Sequence, residues 1–419
     1  SAIYGDKRVM IIGNKVYDYC VRKLPSNNDF KFCEHNDSNI HKATLSNSEI
    51  EKGPKYYLNG IDEPIFGSQV NGFNISYTVD FVNALGAKSF RFRFPNNLYD
   101  GKSLNQSLVK MVHESEQLFL DKDISLLGQI SVFPTYTSFV PDSYNSAPRI
   151  DDPSYLEWMN AVSDYYEAVT KEFPNIIYWE MGNETNDNVF FHPNGYTGSF
   201  TQAGAGGYSN EELASVQTDF YYYASKGIHK GNPHAFAVTP GYSPKNYDGD
   251  MRYVKSFLNQ VYSNINSGNY PTKETIKSTN PNDYFEVLCY HPYSTIIDDN
   301  WKQAHLDVHK ICEDNGQPDI KVFFSEYGYT DYNDMDVEAT QIESFEKAYN
   351  YCLNDLPFVE RLMAFRLYNC KGAESWGGLG ETTFGYFNEP SGGHGFAPKL
   401  KAFALQELYK GEGDLYCHY

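Results

Sequence analysis

The amino-acid sequence predicts an α/β fold, a (β/α)8 TIM barrel with an N-terminal β-hairpin extension. Strand-like and helix-like patterns alternate from about residue 55 to the end of the chain, which is typical of parallel βα units. Two of the strand-like runs end in a glutamate, and barrels of this class carry their reactive groups at the carboxyl ends of the strands. The 419 residues, 41% of them hydrophobic, suffice for one barrel with long loops and require no second domain.

Eight short apolar runs are the predicted barrel strands. They begin with a weak run at 57–59 and continue at 89–94, 124–132, 175–182, 235–239, 284–290, 320–325 and 362–367. The segments between them have the 3.6-residue period of helices, and in one of them Asp152 is the predicted cap and Pro153 the first helical residue. Ser209 to Glu212 forms a predicted capping box for a later helix, and Pro398 to Lys410 is the predicted eighth helix.

The first 54 residues do not continue this alternation. Arg8 to Ile12 and Lys15 to Tyr19 flank Gly13-Asn14, a pattern that predicts a hairpin with a tight turn. We expect residues 1–54 to pack on the barrel as an extension, and residues 55–419 to form the barrel itself.

Charge and cysteine content restrict the partners and the compartment. The formal charge of −20 and the pI near 4.9 argue against binding to nucleic acid or an anionic membrane, because both would repel the chain. Seven cysteines without a Cys-x-x-Cys pair predict reduced thiols and favour the cytoplasm. The absence of a signal peptide and of a membrane-spanning apolar run predicts a soluble protein, although the start at Ser1 leaves secretion open.

Two strand ends carry the most informative residues. Tyr178-Trp-Glu-Met-Gly-Asn-Glu is an apolar strand that ends in the amide of Asn183 and the carboxylate of Glu184. The run at 320–328 repeats this layout with Glu326 at its carboxyl end. A lone glutamate would more simply be a loop residue or a helix cap, but a matched pair at the ends of the fourth and seventh strands is the set that glycoside hydrolysis needs.

In these two motifs the chain resembles the retaining glycoside hydrolases of clan A, whose barrels carry an Asn-Glu acid/base after strand 4 and a nucleophilic Glu after strand 7. The resemblance implies a retaining β-glycoside hydrolase that cleaves plant- or microbe-derived oligo- or polysaccharides by double displacement. Glu184 would be the acid/base and Glu326 the nucleophile. The form Trp-Glu-Met-Gly-Asn-Glu is more similar to families 39, 51 and 79 than to family 5, because Thr185 stands where family 5 has a proline.

Several neighbouring residues are candidates for binding the sugar or orienting the nucleophile. Asn183 would hydrogen-bond the 2-hydroxyl of the sugar, with a buried turn amide as the alternative. The segment Tyr290-His-Pro-Tyr is similar to the His-x-Tyr that some clan members place beside the nucleophile, so either His291 or Tyr293 would orient Glu326.

Two further groups of candidates lie on the second strand and after the eighth. Arg91 and Arg93 are two residues apart and face one side, and Arg93, nearer the carboxyl end, is the predicted partner of Glu326 unless both point outward. Trp376 is a candidate platform beneath the sugar ring, with ordinary loop packing as the alternative, and Tyr368 is a second candidate for that role.

We expect no cofactor and no metal ion, with sugar and water as the only reactants. His305 and His309 have the spacing of helical metal ligands, but the glutamate of the metalloprotease pattern is missing and no third ligand is evident. The alternatives are a non-catalytic carbohydrate-binding barrel, a transglycosylase that uses the same site, and a metal-dependent hydrolase, for which His291 is the one candidate ligand at a strand end. Long loops at 185–208 and after the fifth strand favour exo action.

Overall fold

The computed structural model describes residues 55–65, 70, 73–132, 145–199, 204–268, 278–377, 379–390 and 396–411, and the backbone of 9–12 and 15–20. The chain divides into two compact units, Ser1–Tyr57 and Leu58–Tyr419. In the first, Val9–Ile12 and Lys15–Cys20 pair as antiparallel strands with Ile12 opposite Lys15, as expected of the hairpin. The predicted turn at residues 13–14 lies outside the described residues, and the packing of residues 1–54 on the barrel stays a prediction.

Eight parallel strands of the second unit close into a barrel. They are β1 (Asn59–Asp62), β2 (Ser89–Arg93), β3 (Ser125–Ile130), β4 (Tyr178–Met181), β5 (Phe236–Val238), β6 (Val287–Cys289), β7 (Lys321–Tyr327) and β8 (Val359–Phe365). Each strand pairs with the next one in sequence, and β8 pairs with β1. The predicted (β/α)8 barrel is therefore confirmed.

A helix follows each strand along the chain. The helices are α1 (Ile75–Leu85), α2 (Gln106–Leu120), α3 (Tyr155–Glu172), α4 (Asn210–Gly231), α5 (Arg252–Ser267), α6 (Asp299–Asp314), α7 (Met335–Asn354) and α8 (Leu400–Lys410). Two short strands, Ser146–Ala147 and His192–Pro193, pair with each other and join the loops that follow β3 and β4. Among the described helices, none has both the length and the apolar character that crossing a membrane requires.

Several predicted element boundaries differ from the structure by a few residues, and two of these differences have a local cause. The first predicted strand, 57–59, falls mostly on the 3-10 turn Tyr56–Leu58, and β1 begins only at Asn59. The predicted cap Asp152 accepts the Ser154 N–H at 2.8 Å in a turn, and α3 begins at Tyr155 after Ser154. Both Asp152 and Pro153 therefore belong to the turn, a conformation that an Asp side chain stabilises by bonding the backbone two residues on.

The serine half of the predicted capping box for α4 is confirmed, while the Glu212 carboxylate accepts from Arg149. The Ser209 hydroxyl accepts the Glu212 N–H at 3.1 Å, one residue before the helix begins at Asn210. This cap determines where the long loop after β4 ends and the helix starts.

Side chains alternate between the barrel interior and the helix layer, as the pleat of a strand requires. In β2, Phe90 and Phe92 are buried in the outer core, and Phe90 stacks on Phe119 of α2 with ring centroids 4.3 Å apart. The interior holds a second, smaller apolar cluster formed by Leu127, Val238, Val287, Cys289, Phe323 and Met363. Nearer the carboxyl ends of several strands, the residues that point into the barrel are polar. They are Asp62, Arg91, Gln129, Glu180 and Ser325. A charged layer thus lies above the apolar one, at the carboxyl ends of the strands.

Candidate active site

The backbone after β4 presents Glu184 from a tight turn. Gly182 has φ +103°, and a Cβ there would lie 2.8 Å from Cγ2 of Thr185, so the position needs glycine. Glu184 itself has φ +47°, in the left-handed region that side chains other than glycine rarely adopt. Its N–H donates to the Gly241 carbonyl at 3.0 Å, which ties the turn to the residues after β5. The hydrogen bond to Gly241 therefore stabilises an unfavourable backbone conformation at Glu184. Such conformations are common at functional sites.

A bulge in β7 turns Glu326 into the barrel. Phe324 pairs with Leu362 of β8, but the next paired residue, Tyr327, lies opposite Ala364, so β7 has one more residue than its partner here. Ser325 points inward and donates to Glu180 at 3.2 Å. Strict alternation would then direct Glu326 toward the helices, and the extra residue allows both side chains to face the interior.

The structure brings Glu184, Glu326 and His291 together. One carboxylate oxygen from each glutamate and one ring nitrogen of His291 lie within 4.8 Å of one another. His291 Nδ1 is 2.8 Å from Oε1 of Glu184 and 3.6 Å from Oε2 of Glu326, and its Nε2 is 3.2 Å from the Ser325 hydroxyl. A Cβ on Gly241 would lie 2.2 Å from that Nε2, so a glycine after β5 is needed to admit the ring. His291 therefore bridges the two carboxylates.

Both arginines of β2 contact Glu326, whereas the sequence favoured Arg93 alone. Arg93 donates from Nη2 to Oε1 of Glu326 at 2.7 Å and from Nε to Asp62 at 3.2 Å. Arg91 also contacts Oε1 of Glu326, and its side chain is completely buried. The prediction that Arg93 lies near Glu326 agrees with this placement, but the preference for one arginine missed the more buried partner.

Arg91 also links Glu326 to the base of the site. It holds Glu180 with two hydrogen bonds of 2.6 Å and donates to Asp62 at 3.2 Å. Its Nη2 donates to Oδ1 of Asn183 at 2.7 Å, which orients that amide beside the acid/base candidate. One guanidinium thus connects strands β1, β2, β4 and β7.

Tyr293 contacts the carboxylate oxygen of Glu326 that the two arginines do not bind. Its hydroxyl donates to Oε2 of Glu326 at 3.1 Å, and the side chain is 8% exposed. The sequence left open whether His291 or Tyr293 would orient Glu326, and the structure places both beside it. The two side chains have different partners: His291 contacts both glutamates, while Tyr293 hydrogen-bonds to Glu326.

The surroundings separate the proton affinities of the two glutamates. Burial raises the pKa of Glu184; His291 opposes this effect and the charge of Glu326 adds to it. Burial also acts to raise the pKa of Glu326, but His291, Arg93 and Arg91 outweigh it and lower that pKa to about 2. Near neutral pH Glu326 is therefore ionised, while Glu184 keeps its proton to a higher pH than an ordinary glutamate does.

Sequence reasoning missed three acidic residues of the site. Asp62 and Glu180 are completely buried partners of the arginines, and each could have been suspected as a carboxylate inside an otherwise apolar strand. Glu381, in the turn Leu379–Thr383 after β8, is half-buried, and burial and the charges of Glu326 and Glu184 raise its pKa to about 7. No sequence signal distinguishes Glu381, because its position depends on how the last loop folds over the barrel.

The two candidate sugar platforms are not part of this group in the described structure. Tyr368 is completely buried, its hydroxyl lies 3.0 Å from that of Thr78, and its ring packs against Phe396 with centroids 4.4 Å apart. The expectation of a platform at Tyr368 is therefore wrong, because its side chain points into the helix layer rather than the barrel mouth. Trp376 lies in the short helix Glu374–Gly377, and its side chain is outside the described residues.

The discounted histidine pair on α6 has structural partners. Nδ1 of His305 is 2.9 Å from the Tyr290 hydroxyl, and Nε2 of His309 is 3.3 Å from the Ile320 carbonyl. The one group of potential metal ligands among the described residues is Glu184, His291 and Glu326 themselves.

The chain is similar in structure to known glycoside hydrolases. The family 1 β-glucosidase from Thermotoga maritima matches with a TM-score of 0.56 at 14% sequence identity, over 86% of this chain and 99% of that one. A family 39 glycoside hydrolase from the gut symbiont Bacteroides cellulosilyticus WH2 matches with a TM-score of 0.55 at 13% identity, over 86% of this chain and 65% of that one. No protein-family model and no curated protein matches the chain. At these identities the likeness is one of fold, and the chain shares the (β/α)8 barrel fold with these two glycoside hydrolases.

Proposed function

We propose that the protein is a retaining β-glycoside hydrolase in which Glu326 is the nucleophile and Glu184 the acid/base. The observation that carries this proposal is the pairing of two carboxylates with opposite pKa shifts and with oxygens within 4.8 Å of each other. Retaining enzymes place these groups about 5–5.5 Å apart, whereas inverting enzymes leave about 6.5–9.5 Å for a water molecule. The close approach of the pair therefore supports retention.

In the first step Glu326 attacks the anomeric carbon and Glu184 gives its proton to the leaving oxygen. The bond from the anomeric carbon to the leaving oxygen breaks as the bond to the Glu326 carboxylate forms. The low pKa of Glu326 keeps this nucleophile ionised, and Arg91, Arg93 and Tyr293 hold its oxygens in place.

In the second step a water molecule attacks the same carbon and releases Glu326. Glycosylation neutralises Glu326, so its charge no longer raises the pKa of Glu184, which then accepts a proton from the water. A sugar hydroxyl in place of water would give transglycosylation by the same chemistry. Asn183, held by Arg91, is placed to hydrogen-bond the sugar 2-hydroxyl.

A β-glucoside is the first substrate to test, because the family 1 neighbour is a β-glucosidase. The pairing of Ser146–Ala147 with His192–Pro193 supports exo action, since it holds the loop after β4 against the loop after β3 at the barrel mouth. Aryl β-glycosides of glucose, galactose, mannose, xylose and arabinose would identify the glycone.

The test of the nucleophile is Glu326→Gly. Turnover of natural glycosides should be abolished, and azide should restore part of the activity on an activated aryl glycoside by occupying the vacated space, with a glycosyl azide of inverted configuration as product. Near-normal activity without azide would contradict the assignment. A carbohydrate-binding barrel without catalysis would bind the sugar equally well before and after the substitution and turn over neither substrate.

A metal-dependent hydrolase is the second candidate, because Glu184, His291 and Glu326 could present one ligand atom each to an ion. Two guanidinium groups beside Glu326 oppose a cation there, which favours proton chemistry over metal chemistry. Extensive dialysis against EDTA separates the two, since the proposed mechanism predicts unchanged kcat and a metal hydrolase would lose activity that added metal restores.

A further inference from the structure

Tyr247 is an exposed aromatic residue beside the catalytic pair that the mechanism above does not use. It lies in the loop after β5 and is 59% exposed. Its ring meets that of Tyr293 edge-on, with centroids 5.9 Å apart, and the Tyr293 hydroxyl donates to Glu326. One aromatic ring thus separates Tyr247 from the nucleophile, while most of its own surface is open to solvent.

The loop that carries Tyr247 is held in place by the loop after β6. The Thr295 N–H and hydroxyl both donate to the Tyr247 carbonyl, at 3.0 and 3.2 Å. Asp248 forms an antiparallel bridge with Ser294, and a Cβ on Gly249 would lie 2.6 Å from the Ser294 hydroxyl. An exposed side chain on a backbone with these constraints is a preorganised surface rather than a mobile loop tip.

The same loop is bonded to the turn that carries Glu184. The Asn186 side chain exchanges two hydrogen bonds of 2.8 Å with the backbone of Ser243. Lys245 Nζ lies 3.5 Å from Asp187, whose N–H donates to the Glu184 carbonyl at 2.9 Å. The loop that carries Tyr247 is therefore joined to the turn that carries Glu184.

The Tyr247 phenol interacts electrostatically with the carboxylates of the site. Burial and the charges of Glu184, Glu381 and Glu326 raise the pKa of Tyr247 to about 12, although most of the residue is exposed. Together with the ring contact to Tyr293, this interaction places Tyr247 beside the catalytic pair.

We propose that Tyr247 is the platform for the leaving group, and that this leaving group is a sugar unit. The inference rests on the proposed function, because Glu184 protonates the leaving oxygen and the group attached to that oxygen must lie on its side. An aromatic face packs against the C–H face of a sugar ring. Lys245 and Asp187 form an ion pair between the loop of Tyr247 and the turn of Glu184, and these charged groups are able to hydrogen-bond sugar hydroxyls. An apolar leaving group beside them would desolvate the charges without replacing their partners.

Three substrates that share one glycone and differ in leaving group test this inference: the glycosyl fluoride, the 4-nitrophenyl glycoside and a disaccharide. Fluoride is too small to reach Tyr247. For Tyr247→Ala we expect kcat/KM on the disaccharide, divided by kcat/KM on the fluoride, to fall by about tenfold, mainly because KM for the disaccharide rises. Tyr247→Phe keeps the aromatic ring and should keep most of this ratio. Sugar acceptors should also intercept the glycosyl-enzyme less often in Tyr247→Ala, relative to methanol. The matched control is Tyr253→Ala, an exposed tyrosine on α5 whose ring lies beneath Arg252.

Three results would overturn the inference. An unchanged ratio would mean that the ring does not contact the leaving group, and an equal loss on all three substrates would make Tyr247 a structural residue. A larger loss on the 4-nitrophenyl glycoside than on the disaccharide would assign an apolar leaving group instead. If wild-type protein hydrolyses none of the three, or if Glu326→Gly keeps full activity, the proposed function itself fails and this inference fails with it.

Discussion

Replacing Arg91 by methionine removes the cation that joins Glu326, the proposed nucleophile, to the buried carboxylates Asp62 and Glu180. Arg91, Glu180 and Asp62 are completely buried, and Arg91 hydrogen-bonds to both carboxylates and to Glu326. Methionine has a similar reach without charge. The substitution therefore tests both the stability of the charged layer and the ionisation of Glu326.

The free energy of unfolding that Arg91→Met costs depends on which carboxylates still have an arginine partner. Asp62 and Glu326 retain Arg93, so Glu180 alone loses its guanidinium. Glu180 still accepts the Gly241 N–H at 2.8 Å and the Ser325 hydroxyl at 3.2 Å, but these neutral donors do not compensate a buried charge. Removing one partner of a buried ion pair costs about 3–5 kcal/mol, and we expect a loss of that size rather than a multiple of it.

The pH dependence should change as well. The folded-state pKa of Glu326, about 2, lies below its usual value of 4.5, so the stability that this residue contributes is present above pH 4.5 and is lost as pH falls toward 2. Without Arg91 the folded-state pKa of Glu326 rises toward its usual value. The pH range over which this residue changes the stability then becomes narrower. The acidic limb of kcat/KM should move to higher pH for the same reason.

Urea unfolding followed by circular dichroism, together with pH profiles of kcat/KM, measures both effects. Arg93→Met is the matched control, because Arg93 contacts Asp62 and Glu326 but is 21% exposed in its side chain and does not bind Glu180. We expect it to shift the acidic limb with a smaller loss of stability. If both variants lose equal stability, or if Arg91→Met leaves the acidic limb unmoved, the assigned role of Arg91 is wrong.

Three further substitutions test the proposed acid/base Glu184, a third carboxyl group and a distant ion cluster. Glu184→Ala should slow an unactivated disaccharide by about 100- to 10,000-fold, while an aryl glycoside with an acidic phenol gives a burst and a slow phase that azide accelerates; equal losses without a burst would make Glu184 structural. Glu381, with a pKa of about 7, adds negative charge above that pH and helps Glu184 keep its proton, so Glu381→Gln should move the basic limb of kcat/KM to lower pH, and an unmoved limb would contradict this coupling. Asp331, 1% exposed, binds Nζ of Lys399 at 2.9 Å and of Lys401 at 2.8 Å, so Asp331→Asn should cost about 3–5 kcal/mol in urea unfolding, and a loss below 1 kcal/mol would show that the lysines find other partners.

Local patterns in the chain were enough to predict the barrel and its two central glutamates. The alternation of apolar runs with helical periods is a short-range property, so the order of the eight strands could be inferred before the sheet was seen. Glu184 and Glu326 follow directly after such runs, and the carboxyl ends of barrel strands necessarily meet at one face. The weakest run, at 57–59, gave the least accurate strand, because its residues form a 3-10 turn before β1 begins.

The contacts among these residues depend on strand register and loop packing, which are long-range properties. The extra residue in β7 reverses the face that alternation assigns to Glu326, and no feature of the local sequence reports it. The burial of Arg91 beneath Arg93 depends on Glu180, 89 residues away along the chain. Tyr368 was misplaced for the same reason, since the packing of α1 and of Phe396 around its ring, and not its position after a strand, determines which way it points. Composition and periodicity are thus sufficient for the architecture, whereas the groups that raise the pKa of Glu184 and lower that of Glu326 meet only when the barrel closes.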